Sequence, residues 1–521
     1  MAYYCHMRVG SDASPESPEP TVTDVSPLAP ECTARPVFSD ERPTAVADAQ
    51  LWQAAGFSGA LGQTLLLAGD RHPRLLVGLG ERSAAGLCEL RDAAAAAARR
   101  LRHLAVATFE LDGLRLGTPE GVAATPEEIA RAAAEGVTLG AYTFTEHKQK
   151  NAPAGFLRET SSGTDSASAT DSDTGTSSHG TTWSAAAADP DTAAGWAVGA
   201  EVGRAVNVAR DLVNEPANVI TPSSFAARVE ALAAASGIDV AVSDEAELER
   251  LGLGGVLAVG RGSVERPLLL TLTHNGHGGP VDLCLVGKGV TFDTGGLSLK
   301  SADGMIGMKH DMAGAAAAAL AMTLLQTLAP NLHVKAFLPM VENMPGPFST
   351  RPGDIVTMRG GTTVEILNTD FEGRLILGDA IALAADEHPA AIVDLATLTY
   401  AIVHALGDRT AGVFSNDDAL LENLQAAAVT SDEQVWHMPM PAYLETQVDS
   451  LIADIKNFPG VPSSRSSTAA MFLQRFVPEG QAWAHLDIAG PAWAESEYGV
   501  APLGATGFGV RLLAELFERL A

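Results

Sequence analysis

Cysteine is scarce in this 521-residue sequence, and its spacing excludes a disulfide framework. The four cysteines, Cys5, Cys32, Cys88 and Cys284, lie far apart and form no Cys-x-x-Cys pair. Cys284 falls inside an apolar, strand-like run, which is typical of a buried free thiol. Free thiols are usual in a reducing compartment, so we predict a cytoplasmic protein.

Basic residues and long apolar runs are also lacking. The chain has 34 Lys and Arg against 63 Asp and Glu, a formal net charge of −29. Nucleic-acid and anionic-membrane binders need a basic surface, so this charge argues against both. No apolar run reaches the roughly 18 residues of a membrane span. Residues 1–20 contain no apolar signal-peptide core, and we expect neither a membrane nor a nucleic-acid partner.

The chain instead alternates apolar, β-rich runs with helical segments. An apolar fraction of 46% is ample for sizeable cores, and the length predicts at least two domains. Residues 160–182 contain almost no apolar side chain and cannot form a core. The predicted division is a flexible tail at 1–40, an α/β domain at 41–150, a Ser/Thr/Asp-rich linker or insertion at 151–192, and a catalytic domain at 193–521.

The C-terminal part predicts an α/β fold with a mostly parallel sheet. Apolar, β-rich runs occur at 267–274, 283–290, 333–341, 363–368 and 391–398. Helices are predicted between some of them, at 311–328 and 374–385. Strands that alternate with crossover helices form a sheet whose two faces are covered by helices.

Five potential metal ligands follow two of these runs. Lys288, Asp293 and Asp311 come after the run at 281–287, and Asp370 and Glu372 come after the run at 363–368. Open α/β sheets bind ligands at the carboxyl ends of their strands. With one residue between them, Asp370 and Glu372 would point to the same side of an extended backbone. Carboxylates crowded in a dry pocket are neutralised by divalent cations, and a pair of cations forms a hydrolytic site.

Several sequence blocks closely resemble the signatures of the leucyl (cytosol) aminopeptidase family. They are VGKGVTFDTGG (286–296), KHDMAG (309–314), ENMPGPFSTRPGD (342–354), NTDFEGRL (368–375) and WAHLDIAGPAW (483–493). The resemblance is dense over 195–521, and residues 135–148 resemble the end of the family's N-terminal domain. It implies a macro-like N-terminal α/β domain, a larger α/β catalytic domain and a homohexamer.

The resemblance also implies a role for individual residues. Lys288, Asp293, Asp311 and Glu372 would hold one metal ion, and Asp293, Asp370 and Glu372 would hold the other. Lys300 and Arg374 match the catalytic residues, with Arg374 holding a bicarbonate anion. The implied substrate-binding residues are Met308, Asn368, Thr397, Leu398 and Ala489.

The implied activity is an aminopeptidase that removes N-terminal, preferably apolar, residues from peptides. Two divalent ions (manganese, zinc or magnesium) would activate water for attack on the first peptide bond. Lys300 would stabilise the charge that develops on the carbonyl oxygen. Two alternatives stay open from the residues alone: a catalytically silent structural or regulatory relative, and a two-metal phosphoesterase.

The chain departs from the family pattern at three places near these residues. Phe371 stands where a small residue is usual, and Tyr400 stands where glycine usually follows DLATLT. The segment FPGVPSSRSST (458–468) replaces a glycine-rich stretch. None of these changes removes a ligand, and together they predict a substrate pocket with a different shape.

Overall fold

A computed structural model describes most of the chain. The described residues are 32–41, 43, 46–67, 73–104, 106–118, 121–148, 181–185 and 189–521. Most of the predicted tail and of the predicted linker lies outside these residues. No helix within the described ranges is long and apolar enough to cross a membrane.

The N-terminal domain is a five-stranded sheet with helices. Its strands are β1 (Cys32–Phe38), β2 (Thr64–Leu67), β3 (Arg74–Gly80), β4 (Val106–Phe109) and β5 (Thr182–Ala185). Its helices are α1 (Val46–Ala54), α2 (Leu87–Leu101) and α3 (Pro126–Gly140). The strand order is β2-β3-β1-β4-β5, and all neighbours are parallel except β2 and β3.

Two predicted boundaries were wrong at this sheet. Strand β1 lies within the predicted tail, yet it is the central strand and Cys32, Ala34 and Val37 are fully buried. Strand β5 lies within the predicted linker and pairs with β4. Both strands are short and are followed or preceded by polar sequence, so composition alone hides them. Their place in the sheet comes from pairing with strands that are distant in sequence.

The C-terminal domain contains the remaining elements. Its strands are β6 (Asp239–Ser243), β7 (Leu268–Asn275), β8 (Leu283–Gly287), β9 (Gly289–Asp293), β10 (His333–Asn343), β11 (Ile355–Thr357), β12 (Thr363–Glu365), β13 (Ala391–Ala396), β14 (Ala411–Ser415), β15 (Val435–His437), β16 (Ile455–Lys456), β17 (Ala482–Asp487), β18 (Trp493–Ala494) and β19 (Gly504–Ala505). Its helices are α4 (Pro190–Asn214), α5 (Pro222–Ala235), α6 (Glu245–Leu251), α7 (Gly254–Gly260), α8 (Ala302–Met305), α9 (Ala313–Met322), α10 (Leu325–Leu328), α11 (Gly373–Ala385), α12 (Tyr400–Leu406), α13 (Asp418–Ser431), α14 (Arg465–Gln474) and α15 (Val510–Leu520).

A nine-stranded, mostly parallel sheet is the centre of this domain, as the sequence predicts. Its order is β15-β14-β17-β13-β8-β10-β7-β6, with β9 also paired to β10. The four central strands β17, β13, β8 and β10 are parallel, whereas β7 and β6 add antiparallel neighbours at one edge. Because β8, β9, β13 and β17 run in one direction, the loops after them gather at one edge of the sheet.

Two predicted elements of this domain differ from the structure. The helix predicted over 311–328 is broken into α9 and α10, and it is preceded by a short 3-10 helix at Met308–His310. The strand predicted over 363–368 ends at Glu365 and belongs to a separate three-stranded sheet, β11-β12-β16. Apolar character does not by itself tell where regular structure stops.

Close packing of α3 against α4 joins the two domains. A Cβ at Gly195 would lie 2.1 Å from the carbonyl oxygen of Glu127, and one at Gly199 would lie 2.2 Å from that of Arg131. The glycines therefore let the two backbones approach each other. Arg131 on α3 also pairs with Glu515 at 3.0 Å and with Glu518 at 2.9 Å, both on α15.

Asp379 anchors α11, the helix that begins directly after the predicted metal ligands Asp370 and Glu372. Its buried carboxylate accepts hydrogen bonds from the backbone N–H groups of Gly255 at 2.6 Å, Val256 at 3.0 Å and Arg359 at 2.8 Å. In Asp379→Ala these three donors lose their partner. We expect the free energy of unfolding to fall by about 3–5 kcal/mol, measured by denaturant titration.

The matched control for this prediction is Asp386→Ala, just beyond the end of the same helix. The Asp386 side chain is 61% exposed and forms an ion pair with Arg359. Exposed pairs contribute about 0–1 kcal/mol, so this variant should unfold close to the wild type. If both substitutions change the free energy of unfolding equally, the three backbone hydrogen bonds to Asp379 do not stabilise the domain.

Candidate metal centre

The structure brings the five predicted metal ligands together at the carboxyl edge of the large sheet. Lys288 lies between β8 and β9, and Asp293 ends β9. Asp311 directly follows the 3-10 helix, while Asp370 and Glu372 lie in the loop before α11. The ligand atoms of Asp293, Asp370 and Glu372 all lie within 4.8 Å of one another.

The local geometry of Asp370 and Glu372 differs from the prediction. Their backbone is not extended: Asp370 lies in a turn, and Glu372 has φ −76° and ψ −36° at the start of α11. The carboxylates converge because a turn leads directly into a helix, not because of strand alternation. The side-chain amide oxygen of Asn368 supports this turn by accepting a hydrogen bond from Asp370 N at 2.8 Å.

Lys288 is buried and binds two of the carboxylates. Its Nζ lies 2.7 Å from Asp311 Oδ1 and 2.9 Å from Glu372 Oε1, and it donates to the backbone oxygen of Thr397 at 3.0 Å. Burial favours the neutral amine, but the carboxylates of Asp311, Glu372 and Asp293 outweigh it and raise the pKa of Lys288. The lysine is therefore an integral part of the cluster and not a surface residue.

Lys300 contacts the other side of the cluster. Its Nζ lies 2.8 Å from Asp293 Oδ2 and also pairs with Asp370. Although burial opposes the charge, Asp293, Glu372 and Asp370 raise the pKa of Lys300. An ammonium group is thus held beside the carboxylates, where it can stabilise negative charge on a bound substrate.

The donor set fits divalent cations. Burial raises the pKa of Asp311 to about 8, and burial with the neighbouring Asp293 and Glu372 raises that of Asp370 to about 7. Asp311 Oδ2 is buried and has no hydrogen-bond partner among the described residues. Bound divalent cations would favour the ionised form of such crowded carboxylates and would displace the proton of Lys288, which can coordinate only as a neutral amine. Oxygen donors with one amine suit manganese, zinc or magnesium.

Arg374 is buried beside the cluster with an incomplete set of partners. It is 2% exposed, and in the described part of the chain its Nε and Nη1 have no hydrogen-bond partner. Its guanidinium carbon lies 4.6 Å from the Phe371 ring centroid and 6.0 Å from that of Phe472. Burial lowers the pKa of Arg374 to about 9, so the charged form needs an anion. Unused donors on a planar guanidinium fit a small bidentate anion.

Comparison with known proteins decides the family of this chain. The family model described as "Cytosol aminopeptidase family, catalytic domain" matches residues 207–514. The model described as "Cytosol aminopeptidase family, N-terminal domain" matches residues 37–151. The chain belongs to the cytosol aminopeptidase family. The match to the N-terminal domain begins within β1, which agrees with the corrected boundary there.

Curated relatives and solved structures agree with this assignment. A probable cytosol aminopeptidase of Roseiflexus castenholzii is 41% identical over 475 residues, which are 89% of this chain and 91% of the relative. The bottromycin maturation enzyme BotP has a TM-score of 0.81 and 37% identity, covering 94% of this chain and 99% of that one. A tomato leucine aminopeptidase mutant has a TM-score of 0.79 and 30% identity, covering 95% of each chain.

This chain is therefore a metal-dependent peptidase that removes N-terminal residues. Its described residues contain the acidic cluster that such an enzyme needs, and BotP has also been solved in complex with manganese. The family assignment decides against the two-metal phosphoesterase. The individual roles of Lys288, Asp293, Asp311, Asp370 and Glu372 remain predictions.

Two residues that support the centre of the aminopeptidase were not predicted. Asn343, at the end of β10, donates to Asp293 Oδ1 at 2.8 Å and to the backbone oxygen of Thr369 at 2.9 Å. It therefore links the two ligand loops. The block ENMPG, which follows an apolar run and resembles the family, is the sequence signal that could have indicated it.

Asp487 is the second residue that was not predicted. It connects the loops that carry predicted substrate-binding residues. Its Oδ1 accepts hydrogen bonds from the backbone N–H groups of Leu398 at 3.2 Å, Thr399 at 3.3 Å and Ala489 at 3.3 Å. Leu398 and Ala489 are thus brought together after β13 and β17. Thr397 donates from its hydroxyl to Asp311 Oδ1 at 2.7 Å, so this part of the predicted pocket borders the predicted metal ligands.

Proposed function

We propose that this aminopeptidase removes apolar N-terminal residues from peptides at a two-metal centre. Lys288, Asp293, Asp311 and Glu372 would hold one ion, and Asp293, Asp370 and Glu372 the other. The observation that carries the proposal is the convergence of Asp293, Asp370 and Glu372 within 4.8 Å, in contact with two buried or half-buried lysines. Divalent ions bound there would polarise the scissile carbonyl and lower the pKa of a water nucleophile.

Lys300 is proposed to stabilise the negative charge that develops on the carbonyl oxygen. Its ammonium is fixed by Asp293 at 2.8 Å and by Asp370, and its side chain remains 16% exposed. A charge that is oriented before the reaction needs no reorganisation in the transition state. Lys300 would therefore offer the carbonyl oxygen of a substrate a hydrogen-bond donor that is already oriented.

Arg374 is proposed to hold bicarbonate through its unpartnered Nε and Nη1. The planar fork of a guanidinium can donate two parallel hydrogen bonds to such an anion. Bound bicarbonate would supply a proton acceptor next to the nucleophile. Arg374 itself does not take that role near neutral pH, because its guanidinium stays protonated there even with a pKa lowered to about 9.

One assay tests the proposed function. The purified chain is stripped of metal with a chelator, and hydrolysis of leucine p-nitroanilide is followed after manganese or zinc is added back. A phosphate ester is tested in parallel. We expect no peptidase activity in the stripped sample, recovery with metal, and no phosphatase activity. Full activity without metal would exclude the two-metal mechanism, and no activity with either ion would indicate a catalytically silent relative.

The pocket for the N-terminal side chain is expected to prefer apolar residues. Met308, which is buried, and Ala489 would form an apolar, adaptable wall, and Thr397 would close it beside Asp311. An acidic substrate side chain in this pocket would find no basic partner among the predicted lining residues and would lie close to the carboxylates of the centre. We expect kcat/KM for Leu and Met p-nitroanilides to exceed that for Asp and Glu by at least roughly 10-fold.

The substrate panel can contradict this assignment directly. If the acidic p-nitroanilides are the best substrates, these residues do not line the pocket. Tyr400 begins α12 and its side chain is exposed. Since it follows the predicted pocket residues Thr397 and Leu398 closely, it would narrow the pocket, and Tyr400→Gly should broaden the range of substrates.

We also propose a cytoplasmic homohexamer. Assembly would cover several large apolar side chains that are exposed in the single chain, among them Leu451, Ile306 and Phe348. Curated relatives are described as probable cytosol aminopeptidases, and the free cysteines Cys32, Cys88 and Cys284 suit a reducing compartment. The mass in solution from light scattering tests the assembly: a monomer at micromolar concentration would contradict it.

A further inference from the structure

Two arginines approach the same phenylalanine beside the metal centre. Phe371 lies between the ligands Asp370 and Glu372. Its ring centroid lies 4.6 Å from the guanidinium carbon of Arg374 and 5.9 Å from that of Arg465. Phe458 packs against the same ring, with the centroids 4.8 Å apart and the planes at 68°. Phe371, Phe458 and Arg465 all fall where the chain departs from the family pattern.

Arg465 carries a positive charge that its surroundings do not neutralise. No carboxylate of the described residues lies within 4.0 Å of its guanidinium, and its one described hydrogen bond runs from Nε to Val461 O at 3.4 Å. By contrast, Arg475 at the other end of α14 pairs with Asp449 at 3.3 Å. In a chain with 63 acidic and 34 basic residues, an arginine held on aromatic rings without a carboxylate has donors free for a ligand.

Arg465 lies over two neighbouring aromatic rings, and the residue after it is anchored by a hydrogen bond. Its guanidinium carbon lies 5.7 Å from the Phe458 ring centroid as well as close to Phe371. The next residue, Ser466, shares a hydrogen bond of 2.7 Å between its hydroxyl and that of Thr399. Thr399 follows Leu398 in the loop bound by Asp487. The start of α14 is therefore attached to the wall of the predicted substrate pocket.

The exposure of the metal ligands shows where this arginine lies relative to a substrate. The side chain of Asp370 is 29% exposed, whereas those of Glu372 and Asp311 are 4% and 7% exposed. The centre therefore opens to solvent on the side of Asp370. Phe371 follows Asp370 directly, and Arg465 rests on Phe371 at that opening. The N-terminal residue of a bound peptide would occupy the enclosed side of the metal centre. The residues after the scissile bond would then extend through the opening, past Arg465.

We infer that Arg465 is a specificity residue that binds a peptide carboxylate on the C-terminal side of the scissile bond. The inference rests on the proposed aminopeptidase function. A guanidinium oriented by aromatic faces keeps its outer N–H edge for a bidentate carboxylate. Two sources supply such a group: an acidic side chain at the second position of the peptide, or the free C-terminus of a dipeptide.

The test compares substrates that differ only in that charge. Leu-Glu-amide is paired with Leu-Gln-amide, and Leu-Gly with Leu-Gly-amide. Each is hydrolysed by the metal-loaded wild type, by Arg465→Gln and by the matched control Arg475→Gln. We expect the wild type to favour the charged member of at least one pair by roughly 5–30-fold in kcat/KM, the range for a half-exposed, charge-assisted hydrogen bond.

Arg465→Gln should lose this preference and keep the rate on the neutral substrates, with bound metal unchanged. Arg475→Gln should keep the preference. Arg465→Lys should restore only part of the preference, because an ammonium keeps the charge but lacks the planar fork of the guanidinium. Added salt should weaken the preference in the wild type, since the pair is only half buried. A preference in the Glu/Gln pair alone identifies an acidic second residue, and one in the Leu-Gly pair alone identifies the dipeptide C-terminus.

Other outcomes overturn the inference. An equal loss on all four substrates in Arg465→Gln would mean that the arginine only braces Phe371. No preference for the charged member of either pair in the wild type would mean that Arg465 binds no carboxylate on the C-terminal side of the scissile bond. Failure of the metal-loaded wild type to hydrolyse Leu-Gln-amide and Leu-Gly-amide would instead contradict the proposed function.

Discussion

Glu372→Gln is expected to reduce peptide hydrolysis by at least about 10³-fold, with loss of bound metal. Glutamine keeps the size of the side chain but removes the charge. Glu372 is buried, and its Oε1 lies 2.9 Å from Lys288 Nζ, in the same cluster as Asp293 and Asp370. In the proposed centre it is shared by both ions, so neither site is complete without it. Asp370→Asn should also abolish activity.

The measurements are turnover of leucine p-nitroanilide and the metal content of the purified protein. Glu387→Gln is the matched control, because Glu387 lies beyond the other end of α11 and pairs with Lys335 at 2.6 Å. It should keep both metal and activity. If Glu372→Gln retains two ions per chain and turns over near the wild-type rate, Glu372 is not a shared ligand. Melting temperatures of both variants show whether the fold is intact.

Arg374→Ala is expected to keep both metal ions and to lose turnover by on the order of 10²–10⁴-fold, the effect of removing a general base. The side chain is buried, yet Nε and Nη1 lack partners in the described chain, and no ion pair joins it to Glu372 there. This arrangement favours a role for Arg374 in binding an anion over a structural role in holding Glu372 by an ion pair. Arg374→Lys should recover little, because an ammonium cannot donate two parallel hydrogen bonds.

The measurement that decides is bound metal in Arg374→Ala beside its turnover. Loss of metal in step with activity would assign Arg374 a structural role. The wild type provides a second readout that does not depend on the variant folding. Its activity should fall in bicarbonate-depleted buffer and recover when bicarbonate is added back. An activity that does not depend on bicarbonate would exclude the proposed bicarbonate site at Arg374.

The sequence led to five candidate metal ligands that the structure brings together, and it was less accurate about the elements around them. Lys288, Asp293, Asp311, Asp370 and Glu372 could be found because each ligand pair or triplet follows an apolar run in a block with a recognisable family pattern. The backbone geometry of Asp370 and Glu372 was wrong, because β12 ends at Glu365 and a turn leads into α11. Short elements depend on their packing partners, and an apolar pattern does not show where they end.

The sequence by itself determined the α/β class, the family and the scarcity of positive charge, and it supplied the acidic residues that we predict to be metal ligands. These properties reside in composition, in local alternation and in contiguous blocks of residues. Only the tertiary structure decided that β1 is a central strand, that Asn343 and Asp487 tie the active-site loops together, and that Arg465 rests on Phe371. Each of these contacts joins residues far apart in the chain, and such contacts follow from how the sheet and its loops pack.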